Sequence, residues 1–375
     1  MVLDEIEYSS VFEPQTTEEQ VDTVYGKVYC TITGVSKPNR PVILTYPDIG
    51  MNHKMCFESF FSHEDMHEIA RHFPILHVNA PGQHEGAVTL STEYTYPTMD
   101  QLSETLPIVL NHLGFNSVIG LGVGAGANIL MRFALNYPDL VEGLVLININ
   151  PNAEGIVDSV TSKITGWTHT VTDTVISHLF GKKEIETNHD LICTFRHDIM
   201  TYMNESNVAQ FLRCYNSRTA LELKRPIPGV NLNGRTLKCS SLLIAGDDSP
   251  SLEVVVECNS KLDPTKTTLL KMADCGGLPQ LNQPAKLTEA LKYFVQGLGY
   301  MPSACMTRLS RSRTTSTSSV MSTDSGRGRA HTDEAQRGLW SKPKEQRGRS
   351  NTDLSMDGVS TSHTESKSKS KSVLC

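Results

Sequence analysis

The sequence predicts an α/β fold: a mostly parallel central sheet, helices on both faces, a helical insertion late in the chain, and a disordered C-terminal tail. Three observations carry this reading. Short apolar runs alternate with helical patterns, as βαβ units require. A glycine-dense turn, Gly122-Val123-Gly124-Ala125-Gly126, joins one apolar run to one helical pattern. Beyond Tyr300 the apolar runs give way to Ser, Thr, Arg and Lys, a composition that cannot bury enough surface to offset the entropy of ordering.

The elements follow in order. Residues 1–20 hold six acids and no Lys or Arg and read as a flexible acidic lead-in. Residues 24–33 alternate as a half-buried strand does. Residues 41–46 are a short continuous apolar run, the pattern of a strand covered on both faces, and 74–80 read as the next buried strand, closed by Pro81-Gly82. Between them 57–73 is helical in period, and 99–113 is the next helix. Residues 117–123 form a strand, 128–135 a helix, and 144–148 another strand. From 152 to 235 the rhythm changes to helical stretches (156–177, 184–203, 208–215) without strand runs, which predicts a cap over the carboxyl ends of the strands. Strand 241–245, helix 252–261, strand 267–272 and helix 285–297 resume the alternation. The expected domain therefore spans 21–300, and the tail spans 301–375.

Strand, sharp glycine turn and helix are the layout of the G-x-S-x-G nucleophile elbow, which predicts an α/β-hydrolase fold. The middle position, however, is Gly124, and without an oxygen or sulfur there covalent acyl transfer has no first step. On that fold the orienting acid follows the strand ending near Ala245; the loop here is Gly246-Asp247-Asp248-Ser249-Pro250, which puts Ser249 in its place. The histidine follows the last strand and precedes a proline; Asp274-Cys275-Gly276-Gly277-Leu278, with Gln283-Pro284 beyond, puts Gly277 there. Three replacements together predict a non-enzyme, because attack, proton transfer and imidazole orientation each need a side chain.

Substitutes are few. Asp247, Asp248 and Asp274 lie near these loops, and Cys275 sits beside the histidine position, but no His falls within 50 residues of it to act as base. His53, His77 and His84 read as loop or core contacts. His63 and His67, at i and i+4, would share a helix face without a Glu or third His, so no metal site is expected. Gly122-x-Gly124-x-x-Ala127 satisfies a dinucleotide pattern, yet it follows a late strand, and the next strand ends Ile147-Asn148-Ile149-Asn150 with no acid for a ribose; no cofactor is expected. A residual anion site at the N-terminus of the elbow helix is the better expectation, although Asp48, after the 41–46 run, would oppose an anion there.

Charge and cysteine content narrow the class further. The net charge of −7 divides into +6 from Pro302 onward and −13 before it. An acidic body with a basic tail argues against nucleic-acid binding. Nine scattered cysteines without a C-x-x-C fit reduced thiols in the cytoplasm. No run approaches 18 apolar residues, and the acidic start lacks a signal-peptide pattern. In the tail, Arg-x-Arg-x-x-Ser/Thr recurs at Arg311–Ser316, Arg327–Thr332 and Arg347–Thr352. Paired guanidiniums suit a basophilic kinase, and phosphates on Ser316, Thr332 and Thr352, each adding about −1.5 to −2, would cancel the tail's positive charge.

With these residues laid out, the chain resembles the N-myc downstream-regulated (NDRG) family from about residue 21 to 313. The segments that carry the likeness are Asn39-Arg40-Pro41-Val42-Ile43-Leu44-Thr45, Asp48-Ile49-Gly50-Met51-Asn52-His53-Lys54, Asp274-Cys275-Gly276-Gly277-Leu278-Pro279-Gln280 and Met301-Pro302-Ser303-Ala304. The resemblance implies an α/β-hydrolase fold without hydrolase activity and a cytoplasmic and peripheral membrane location, with phosphoinositide contact. It also implies roles in signalling, stress response, differentiation and vesicle trafficking through protein partners. Tail phosphorylation by a serum/glucocorticoid-regulated kinase, then by a glycogen synthase kinase, is a trait of the family. The chain departs from it at Pro47, where the family carries His, and in having fewer and more divergent tail repeats. Two other functions stay open: a cryptic hydrolase using Cys275 or an activated water, and a sensor of small carboxylates or lipids using the vacated pocket.

Overall fold

The computed structural model describes residues 15–37, 39–153, 170–227 and 234–301. The expected tail, with Ser316, Thr332 and Thr352, lies outside the described residues, as do residues 1–14 and the first part of the 156–177 stretch.

Eight strands form one sheet in the order β1-β2-β4-β3-β5-β6-β7-β8. They are β1 (Thr16–Thr23), β2 (Gly26–Thr33), β3 (Val42–Tyr46), β4 (Ile75–Asn79), β5 (Val118–Val123), β6 (Val141–Ile147), β7 (Ser240–Gly246) and β8 (Thr267–Met272). β1, β2 and β4 pair antiparallel, and every pair from β4 to β8 is parallel. All residues of β3, β4 and β5 are buried, which is why apolar residues occupy both faces of these strands.

The helices are α1 (His53–Phe61), α2 (His67–His72), α3 (Met99–Leu113), α4 (Ala125–Asn136), α5 (Val171–Leu179), α6 (Lys182–Thr187), α7 (His189–Tyr202), α8 (Glu205–Asn216), α9 (Leu252–Lys261), α10 (Pro279–Asn282) and α11 (Pro284–Gly297). α3 matches its expected bounds because both ends are signalled: Thr98 and Gln101 make a reciprocal capping box, and Gly114 closes the helix with φ +74°. α4 is buried nearly all round, with Ile129, Leu130, Met131 and Phe133 at 0% exposure; each such side chain contributes roughly 2 kcal/mol. α5 to α8 come between β6 and β7, where the cap was expected.

Two expectations are corrected. β1 starts at Thr16, inside the stretch read as flexible lead-in. Only Val21 of its eight residues is buried, so an edge strand with one apolar contact has too polar a composition to announce itself. The expected helix 57–73 is two helices separated by a 3₁₀ turn, Glu64–Met66. Ser62 closes α1, and His63 Nδ1 accepts the Asp65 N–H at 3.3 Å to start the turn. Phe57 and Phe60 before the break and Met66 and Ile69 after it are each spaced by three and buried, which is why the stretch reads as helical although the phase shifts between the two pairs.

His77 on β4 is a core residue. Its Nδ1 lies 2.6 Å from Thr45 Oγ1, and its ring stacks 5.0 Å from that of His53. Burial pushes its pKa down from 6.5 to about 3. Between those two values the unfolded chain binds a proton that the folded protein refuses, so stability falls as pH drops below about 6.5, by up to ~1.4 kcal/mol per pH unit from this group. Denaturant titrations from pH 7 to 4 should show that slope, and His77→Gln should flatten it.

Candidate functional site

The carboxyl ends of the parallel strands, where an open α/β sheet places its ligands, meet the cap at the turn between β5 and α4. Gly124 occupies that turn with φ +51° and ψ −111°, a conformation costly for any residue with a β-carbon. Close approach explains the neighbouring glycine. A β-carbon on Gly126 would stand 2.6 Å from Pro47 O and closer still to Tyr46 O, because the start of α4 lies directly against the loop after β3.

Asp48, on that loop, organises the site. Its Oδ1 accepts the Ile49 N–H and the Ala125 N–H, each at 2.8 Å. Its two carboxylate oxygens lie 3.0 and 2.9 Å from His178 Nε2. A carboxylate only accepts, so the proton in this contact sits on Nε2 of His178. The side chains of the pair are 4% and 11% exposed. The N-terminal end of α4 adds its positive dipole end to the same carboxylate. A β-carbon on Gly124 would overlap the Asp48 carboxyl group; the acid fills the space where a nucleophile's side chain would begin. The Tyr215 ring of α8 stands edge-on 5.7 Å from His178, and the Arg218 guanidinium lies 3.8 Å above the Tyr215 ring.

The other two positions are tied together by Asn148, just past β6, which holds φ +54°. Ser249 Oγ donates to Asn148 Oδ1 at 2.9 Å, and Asn148 Nδ2 donates to Gly277 O at 2.6 Å. Gly277 in turn donates its N–H to Glu184 of α6 at 3.0 Å. A β-carbon on Gly277 would strike Leu179 O, and one on Gly50 would sit 2.5 Å from Val175 Cγ1. The cap helices α5 and α6 therefore rest on the backbone of the loops after β3 and β8.

The remaining candidates have structural partners. Cys275 is buried, and burial, with Glu184 and Asp247 nearby, pushes its thiol up to about 11, far from the thiolate a nucleophile needs. Asp247 accepts the Cys275 and Asp274 N–H groups at 3.0 and 3.2 Å, which hold its carboxyl below the usual range. Asp248 pairs with Lys183 at 2.8 Å. His63 precedes the 3₁₀ turn and His67 opens α2, so they share no helix face. Among the described residues no group of three His, Cys, Asp or Glu is placed to hold a metal ion, and no helix is long and apolar enough to cross a membrane. The expected anion site is corrected: the Ala125 N–H that would bind an anion is taken by Asp48. His178, Asn148 and Glu184 escaped the sequence reading. Each lies far along the chain from its partner, and no motif marks them.

Two outcomes follow from this geometry. Asn148→Ala leaves Ser249 Oγ and Gly277 O without their partner and should cost about 2–4 kcal/mol in urea denaturation. Gly124→Ser forces a side chain against Asp48 and should cost about 3 kcal/mol or more. On an Asp48→Gly background the same serine should cost measurably less, a coupling that a double-mutant cycle reads directly.

Comparison with solved structures identifies the architecture. The chain aligns with an esterase from Thermogutta terrifontis at TM-score 0.56 and 17% identity, covering 76% of this chain and 99% of the esterase. It aligns with an enol-lactonase from Burkholderia xenovorans at 0.55 and 15%, covering 74% and 100%. At such identities the likeness establishes the α/β-hydrolase fold and nothing about activity. Sequence relatives are much nearer: NDRG1 of Xenopus tropicalis is 60% identical over 309 residues, 82% of this chain and 78% of that protein. NDRG3 of Xenopus laevis is 56% identical over 320 residues, 85% of each chain. Residues 18–302 match the Ndr family, and the chain, with its hydrolase-type sheet and its glycine at the elbow, belongs to that family.

Proposed function

We propose that this protein is a non-catalytic α/β-hydrolase-fold adaptor, acting through protein partners in signalling, stress response, differentiation and vesicle trafficking. The observation that supports this most directly is the placement of Asp48. In a hydrolase of this fold the oxyanion hole is built from the N–H after the nucleophile and an N–H from the loop after β3. Here the corresponding groups are those of Ala125 and Ile49, and both are spent on Asp48 Oδ1. A fixed negative charge there repels a developing oxyanion rather than stabilising it. Gly124, Ser249 and Gly277 at the nucleophile, acid and histidine positions agree with the same reading.

A second reading draws on His178. An imidazole held by a buried carboxylate could take a proton from a water, which would make the protein a cryptic hydrolase. Against it stands the occupied hole, since such a step still needs donors for the oxyanion. The elevated Cys275 thiol disfavours a cysteine route. The sensor of small carboxylates or lipids keeps less support, because α5 and α6 pack against the loops that would have to part.

The tail belongs to the proposal as its regulatory part, with Ser316, Thr332 and Thr352 as phosphorylation sites for a basophilic kinase and peripheral membrane contact set by the tail's charge. A cytoplasmic location is proposed on the reduced cysteines.

Purified protein should give no turnover of p-nitrophenyl acetate above buffer. Turnover abolished by His178→Ala or by Cys275→Ala would instead establish an enzyme. After incubation with a basophilic kinase, mass spectrometry should place phosphate on Ser316, Thr332 or Thr352; phosphate found only elsewhere would reject the repeat reading.

A further inference from the structure

The far side of the sheet offers a surface that the elbow does not involve. β1 is the outermost strand and pairs only with β2; among the described residues nothing pairs with its other side. Such an edge presents unpaired N–H and C=O groups to whatever extended chain approaches. The register sets Glu18 opposite Thr31, Gln20 opposite Tyr29 and Asp22 opposite Lys27, so Thr16, Glu18, Gln20 and Asp22 share one face. The strand carries three acids, Glu18, Glu19 and Asp22, and no base.

That face opens on a cleft of about 220 Å³ whose walls include Glu18, Tyr29, His53, His84 and Glu85. The His84 ring stacks on Tyr29 at 3.5 Å, and its Nδ1 is buried without a partner. Burial holds His53 and His84 below their ordinary pKa, so at neutral pH they add no positive charge. Lys54 is paired with Glu85 at 2.5 Å. Glu18 and Glu19 line the cleft and Asp22 continues the edge, so the two carry more acids than bases, with Lys27 of β2 opposite Asp22 as the one base on this face of the β1–β2 pair.

These features select among occupants. A second copy of the chain would bring acidic β1 against acidic β1, and like charges facing across a strand pair destabilise it. A basic strand gains on both counts, because side chains two residues apart fall on one face. We propose that the free edge of β1 takes an extended basic segment of a partner protein as a ninth strand, with Lys or Arg at alternate positions reaching Glu18, Asp22 and the cleft. The main-chain bonds supply affinity and the alternate side chains supply specificity. The surface is independent of whether the elbow is inert, so it stands or falls separately from the adaptor reading.

The test uses the full-length protein and fluorescein-labelled nine-residue peptides of alternating lysine and threonine, read by anisotropy. The alternating peptide should bind, and hydrogen exchange should slow at the amides of Thr16–Thr23. Glu18→Lys combined with Asp22→Lys should weaken binding at least tenfold and create binding to an alternating glutamate peptide. The milder pair Glu18→Gln with Asp22→Asn repeats the measurement should the reversal disturb folding, which circular dichroism melting would reveal. Methylating every second peptide nitrogen should abolish binding in one of the two registers. The proposal is overturned if the alternating peptide fails to bind, or if a peptide with its lysines in one block binds equally well. It is also overturned if both methylated peptides still bind, or if the charge changes alter affinity less than twofold. Any of these would leave the acids as a guard against strand addition only.

Discussion

A single carboxylate joins three parts of this molecule. Asp48 takes an N–H from its own loop, an N–H from the first residue of α4, and a proton-bearing nitrogen from α5 of the cap. Burying a carboxylate is costly unless its lone pairs are satisfied, and here the partners come from the loop after β3, the elbow helix and the insertion. Loop, turn and cap must therefore assemble together. Its partners at hydrogen-bond distance are two backbone N–H groups, one of them at a helix N-terminus, and one imidazole.

The glycines around this point have a common cause. Gly126 lets α4 approach the backbone after β3, Gly277 lets the loop after β8 approach α5, and Gly124 leaves room for the Asp48 carboxyl group. In this chain the loops have closed on each other, and polar groups of the protein, Asp48, Asn148 and Glu184, meet the donors and acceptors that the closure would otherwise strand. The site is thus stabilised by pairing its buried donors and acceptors within the protein.

Much of the scaffold was readable in one dimension. β3 announced itself as a continuous apolar run, β4 and β5 as short buried strands, α3 by its caps, and the elbow by five residues of which three are glycine. The absence of side-chain chemistry at Gly124 and Gly277 was equally plain. What stayed hidden was polar and partnered at a distance: β1, whose eight residues bury only Val21, and His178, 130 positions from Asp48. Local pattern records burial along one element; it holds no record of which polar atoms meet once the elements are packed.

The sequence by itself determined the fold, the family and the lack of an attacking atom at the elbow, because periodicity, turn chemistry and residue identity are local quantities. Only the tertiary structure decided what stands in that place. Whether the helix terminus is open to an anion or already bonded to Asp48 depends on how the β3 loop, α4 and α5 converge, and convergence is a property of three-dimensional packing alone.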